Sequence, residues 1–138
     1  MSDAEYDLLI QYTGIYKPAN KQQLKSIISK FITYFGNNCN LNWIDVSGIT
    51  NMDYLFNESF FDGDISQWDV SNVITMRQMF GDSMFTSDIS NWNVSNVTNM
   101  QTMFACSKFN GDISQWDVSN VTDMSHMFDN SKFNSDIS

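Results

Sequence analysis

Asp64, Asp88, Asp112 and Asp136 stand 24 residues apart, and Ser66, Ser90, Ser114 and Ser138 follow them by two places. Asn40 and Asn42 hold the same two places one step upstream. A carboxylate and a hydroxyl repeated in this way can do one of three things. Each Asp can accept hydrogen bonds from backbone N–H groups or serine hydroxyls of the adjacent turn. The row can serve as a contact strip for a basic partner. Or successive carboxylates can bridge calcium, whose oxygen ligands lie at about 2.3–2.6 Å. If Ile65, Ile89 and Ile113 point inward, the residues on either side point outward, and stacking turns them into two ladders. A row of like charges about 4.8 Å apart repels itself, so something must offset it. The residues leave these readings open, although neither an EF-hand loop nor a nonapeptide calcium repeat is present. The candidate partner-binding residues are Asp64, Ser66, Asp88, Ser90, Asp112 and Ser114, with no metal ligand assigned.

Catalysis has less to draw on. The aspartates recur at equivalent positions, whereas a catalytic pair needs two unlike environments that separate its pKa values. His126 is the single histidine and shares its place in the repeat with Tyr54, Gln78 and Thr102, which reads as an exposed bystander. Cys39 falls with Gly63, Ser87, Gly111 and Ser135, a place for small side chains, and reads as a buried filler. Cys106 falls with Glu58, Asp82 and Asn130 and reads as an exposed loop corner. No Cys-x-x-Cys, phosphate loop or nucleophile elbow occurs, so neither a catalytic residue nor a cofactor is expected.

Charge narrows the partners. Residues 1–36 carry a net +1 and residues 37–138 a net −10, within a total of −9. An acidic array repels phosphate, which excludes nucleic acid and leaves a protein or glycan partner. No window approaches the roughly 18 apolar residues of a membrane span, so no membrane insertion is expected. Met1-Ser2-Asp3-Ala4-Glu5 has neither the basic nor the apolar region of a signal peptide, and no anchor is visible in the sequence.

The elements that must position these residues are themselves repeated. "DISQWDVSNV" occurs at Asp64 to Val73 and again at Asp112 to Val121, with "DISNWNVSNV" at Asp88 to Val97. The same register aligns Trp68, Trp92 and Trp116; Met76, Met100 and Met124; Phe80, Phe104 and Phe128; and Phe61, Phe85, Phe109 and Phe133. A weaker copy begins at Asn40, with Ile44 in the Trp column and Trp43 out of register. Val121, Met124, Met127 and Phe128 at helical spacing, with Thr122 as the N-cap, predict one or two turns of helix. The Asp-Ile-Ser segment predicts a short strand. Such a unit cannot bury both faces alone, so copies must stack.

Upstream, Asn20 can cap a helix whose apolar stripe is Leu24, Ile27, Ile28, Phe31, Ile32 and Phe35, ended by Gly36. Such a helix can cover the first coil. Tyr6, Leu8, Ile10 and Tyr12 alternate weakly and predict one more strand, separated from the helix by Pro18. Two regions result: an N-terminal segment with a capping helix over residues 1–39, and about four 24-residue repeats over 40–138, the last incomplete.

The unit "WDVSNVTDMSHMFDNSKFNSDIS" at Trp116 to Ser138 resembles the BspA-like leucine-rich repeat family, in the short variant found in mycoplasma-type surface lipoproteins. The leading "KPANKQQLKSIISKF" and "NLNWIDVSGITNM" are similar to the segment that precedes such arrays. The resemblance implies a leucine-rich-repeat-like solenoid, adhesion or protein recognition at a cell surface or outside the cell, and no catalytic residues. The expected fold class is thus an α/β repeat solenoid of short parallel strands and short helices with an N-terminal capping helix. The expected function is a non-enzymatic scaffold recognising a protein or glycan through its acidic Asp/Ser/Asn-rich face. The alternative is a self-assembly unit, a homo-oligomer joined end to end through the C-terminal coil about a two-fold axis.

Overall fold

The computed structural model describes residues 16–135. One helix, α1, spans Lys21–Phe35. Asn20 caps it by accepting the Gln23 N–H at 2.9 Å, and Gly36 ends it at φ 88°, where its N–H donates to the Ile32 carbonyl. Leu24, Ile27, Ile28 and Phe31 form the buried stripe. Phe31 lies 4.5 Å from the ring of Trp43, so α1 packs on the first coil through the tryptophan that left the repeat register. Ile44 is buried in the Trp column. The expected strand at Tyr6 to Tyr16 lies outside the described residues except for Tyr16, which makes an isolated parallel bridge to Ile44.

Beyond α1 the chain is a stack of 24-residue coils built from turns. The α/β solenoid expectation is overturned: among the described residues there is no helix in any repeat and no sheet, only isolated parallel bridges. The reason lies in where the backbone donors go. In the first coil the N–H groups of Met52, Tyr54, Phe56 and Glu58 donate to the carbonyls of Thr75, Arg77, Met79 and Gly81 in the next. Met76, Gln78, Phe80 and Asp82 repeat the pattern toward Asn99 to Ala105, and Met100, Thr102, Phe104 and Cys106 toward Asp123 to Asp129. Alternate donors are thereby committed between coils, and residues between them close short turns, as when the Leu55 N–H reaches the Met52 carbonyl. A helix needs every donor pointed along its own axis, so none can form here.

The φ angles say the same. Tyr54, Gln78, Thr102 and His126 occupy the left-handed region at φ 52–62°, as do Glu58, Asp82, Cys106 and Asn130, so two columns leave the right-handed helix in every coil. Apolar residues at helical spacing therefore face inward for another reason: consecutive turns present Met76, Met79 and Phe80 to one core. The Asp-Ile-Ser segment likewise turns, with the N–H of Trp68, Trp92 and Trp116 donating to the carbonyls of Ile65, Ile89 and Ile113 three residues back.

Thr102 is the β-branched residue in the left-handed columns, at φ 53°. Thr102→Asn should stabilise the protein by about 0.5–1 kcal/mol, since Asn tolerates this conformation better. A higher urea midpoint with an unchanged slope would register the gain.

The core is a set of stacked rings. Phe56, Phe80, Phe104 and Phe128 succeed one another at centroid distances of 5.6–5.7 Å, while Phe61, Phe85, Phe109 and Phe133 form a second column at 6.2–6.3 Å. Trp68 and Trp92 stack at 6.4 Å. Each indole also donates to the preceding coil: Trp68 Nε1 to the Leu41 carbonyl at 2.9 Å, Trp92 to Ile65 at 3.0 Å and Trp116 to Ile89 at 3.1 Å. A Trp at this place both fills the core and gives a second donor to a carbonyl that already closes its own turn.

Candidate functional site

The polar residues of the repeat make its corners. Asp64 Oδ1 accepts the Ser66 N–H at 2.9 Å and its hydroxyl at 2.7 Å; Asp112 Oδ1 accepts the same pair from Ser114 at 2.9 and 2.7 Å. Asp88 Oδ1 accepts the Ser90 N–H at 2.8 Å. Asn40 does the same for the Asn42 N–H at 2.8 Å, and Asn42 in turn accepts the Gln67 N–H of the next coil at 2.9 Å. The three aspartates are exposed and the three serines half-buried, while Ile65, Ile89 and Ile113 between them are buried. Asp136 and Ser138 lie outside the described residues.

These carboxylates are thus fixed within their own turns, with their repulsion offset by local donors. The N–H of Ser66, with its hydroxyl and Asn42, holds the Asp64 carboxyl below its ordinary value. The arrangement cannot be a strand ladder. Among the described residues, only Asn40 and Asp64 form a backbone bridge within this row. Elsewhere the coils are joined here by side chains, such as Asp62, whose carboxylate takes the Thr86 N–H at 2.6 Å and hydroxyl at 2.7 Å.

A second acidic row escaped the sequence reading although the same Asp-x-Ser spelling marks it five residues later. Asp45, Asp69 and Asp117, with Asn93 between them, accept the N–H of Ser47, Ser71, Ser119 and Ser95 at 3.0 Å. The serine hydroxyls, followed by those N–H groups, pull Asp45, Asp69 and Asp117 below the usual carboxylate value, and Ser125 does the same to Asp123. Beside this row Asn72, Asn96 and Asn120 donate from Nδ2 to the carbonyls of Ser47, Ser71 and Ser95 at 2.7–2.8 Å. The asparagine of "VSNV" is therefore a tie between coils.

Asp53 was also missed. Its column continues as Arg77, Gln101 and Ser125, so the repeat gives no hint of a carboxylate there. Asn51, Asn99 and Asp123 each accept the N–H two residues ahead, but Thr75 stands in their column with a shorter side chain. Asp53 reaches across from the preceding coil instead: it is buried, takes the Arg77 N–H at 2.7 Å and the Thr75 hydroxyl at 2.6 Å, and lies 3.5 Å from the Arg77 guanidinium.

Depressed aspartate pKa values have a consequence for stability. Their contribution is present above the unfolded value and is lost as pH falls through the lower folded value, because the unfolded chain binds protons first. Stability should therefore be level near neutrality and decline once pH drops below about 4. Urea unfolding at successive pH values measures this, and a protein more stable at acid pH would contradict it.

Cys39 is half-buried, and burial raises its thiol pKa. Its carbonyl oxygen lies 1.9 Å from where a Cβ on Gly63 would stand, which explains the glycine at position 63. Cys106 is exposed. His126 has a neighbour that the sequence did not suggest: its Nδ1 lies 2.6 Å from Asp129 Oδ2, on an exposed surface. Among the described residues no group of three His, Cys, Asp or Glu is placed to hold a metal ion, and no helix is long and apolar enough to cross a membrane.

A known family pattern matches residues 22–138, from the second residue of α1 through the repeats. The chain belongs to the family described as "Mycoplasma protein of unknown function, DUF285". No curated protein and no solved structure matches the chain.

Proposed function

We propose that this DUF285 protein is a non-enzymatic scaffold that recognises a protein or glycan through the row formed by Asp64, Ser66, Asp88, Ser90, Asp112 and Ser114. The observation that carries this reading is that each carboxylate is exposed yet oriented by its own turn, so a repeated set of acceptors is displayed at little further cost in side-chain entropy. The second row at Asp45, Asp69 and Asp117, five residues further along each coil, adds carboxylates oriented in the same way. The likeness of the repeat to BspA-like arrays supports adhesion as its setting.

The test is binding to protein and glycan arrays by the wild type and by the triple variant Asp64→Asn, Asp88→Asn, Asp112→Asn. Asparagine still accepts the serine N–H, so the circular-dichroism spectrum should be retained while binding weakens. Equal binding by both proteins would remove the row from recognition. Collapse of the fold would make the carboxylates structural ties.

End-to-end assembly is the second reading, favoured by the last described coil. There Met124 is 41% exposed where Met76 and Met100 are buried, and a cavity of about 500 Å³ opens among Ile113, Trp116, Met124, Met127 and Phe128. Among the described residues the N–H groups of Met124, His126, Phe128 and Asn130 meet no acceptor. The row consists of donors, and a two-fold contact would set it against itself. Assembly here requires an edge that offers carbonyls.

A further inference from the structure

One column of the stack departs from the acidic character of the rest. Phe60, Met84, Lys108 and Lys132 follow one another at 24-residue steps. The N–H groups of Met84, Lys108 and Lys132 donate to the carbonyls of Ser59, Ser83 and Ser107 at 3.0–3.1 Å, which holds the column in register. All four side chains are exposed, Phe60 at 71% and Met84 at 43%. The coils hold three basic residues, and two of them stand in this column. The third, Arg77, is engaged by Asp53 at 3.5 Å and by the Tyr54 ring at 5.6 Å. Among the described residues neither Lys108 nor Lys132 forms an ion pair.

The neighbouring column is graded in the opposite sense. Two residues before Phe60 and Met84 stand Glu58 and Asp82, both exposed, whereas Cys106 and Asn130 precede the two lysines. One half of the strip is apolar and acidic, and the other half basic with uncharged flanks. We infer that this strip is a docking surface for a second copy of the chain, laid antiparallel about a two-fold axis between Met84 and Lys108. In that arrangement Lys132 of the second copy lies over Phe60 beside Glu58, and its Lys108 over Met84 beside Asp82. Each lysine covers an apolar side chain with its stem and delivers its ammonium group to a carboxylate, and the two-fold axis repeats every pairing. A parallel arrangement would set lysine against lysine. The strip is short, so the dimer is a weak and salt-sensitive one.

In each coil this strip stands four residues before the Asp64–Ser114 row, and it runs into the last described coil at Lys132. Sedimentation velocity should be run from micromolar to millimolar protein, at low and at high salt. The expected result is a dimer at the upper concentrations that dissociates with salt. The variants Lys108→Glu with Lys132→Glu, and Glu58→Lys with Asp82→Lys, should each be monomeric with unchanged circular dichroism, and should form a heterodimer when mixed. A monomer at every concentration would overturn the inference. So would a dimer that survives both charge reversals, which would place the contact at the last coil. Binding of monomeric protein to vesicles of anionic lipid, lost with the two lysines, would overturn it in favour of a membrane surface.

Discussion

Replacing Trp92 by alanine should cost about 3–5 kcal/mol, among the largest effects of any single change in the protein. The indole is buried in a middle coil, stacked 6.4 Å from Trp68 and tilted against Phe80 at 6.2 Å. Its removal leaves a cavity between coils that are tied to one another and cannot readily close over it. It also takes from the Ile65 carbonyl the Trp92 Nε1–H at 3.0 Å, leaving that carbonyl with the Trp68 N–H at 3.2 Å. Trp92→Phe separates the two contributions: it keeps a ring in the stack and removes one of the two donors to the Ile65 carbonyl, for a cost of about 0.5–1.5 kcal/mol. Urea midpoints for the two variants measure both, and a small shift for Trp92→Ala would place the column outside the core.

Phe80→Ala should be comparably damaging, again about 3–5 kcal/mol. Its ring touches both columns, at 5.6 Å from Phe56 and from Phe104 and 4.5 Å from Phe85. Because each coil is held chiefly by its neighbours, loss of a middle ring weakens two interfaces together. Phe128→Ala removes the same side chain where it is only partly buried and should cost roughly 1–2 kcal/mol. Equal losses at the two sites would show that stability does not depend on position in the stack. An unfolding curve that splits into two transitions for Phe80→Ala would show the coils on either side parting company.

The sequence made the period, the apolar columns and α1 legible, because each rests on side-chain burial that recurs at a fixed step. Ile44 could be placed in the Trp column and Trp43 out of register, whereas the packing of Trp43 against Phe31 of α1 emerged only from the structure. Secondary structure within the repeat was not legible. Val121, Met124 and Met127 have the spacing of a helix, and nothing in their types reveals that alternate N–H groups leave for the next coil. A signal did exist in the columns of Glu58, Asp82, Cys106 and Asn130 and of Tyr54, Gln78, Thr102 and His126. Their left-handed φ is required by the turns, but they carry no glycine to announce it.

The Asp/Ser row could be found by counting, and its exposure followed from the buried Ile65, Ile89 and Ile113. Its hydrogen bonding could be named only as one reading among three. Asp53 was invisible because its role depends on Thr75 failing to do what Asn51 and Asn99 do for their own coils. The graded strip from Phe60 to Lys132 was equally hidden, since the periodicity that draws attention to constant columns draws it away from variable ones.

Everything proposed here for the surface depends on coils held together by rows of inter-coil amide bonds. Amide hydrogen exchange resolved to single residues tests that most directly. The structure predicts slow exchange at Met76, Gln78, Phe80 and Asp82, and again at Met100, Thr102 and Phe104, where each N–H donates to the next coil. Rapid exchange at those positions, with protection concentrated instead at Asp88 to Ser90, would mean that strands carry the stack and would contradict this architecture.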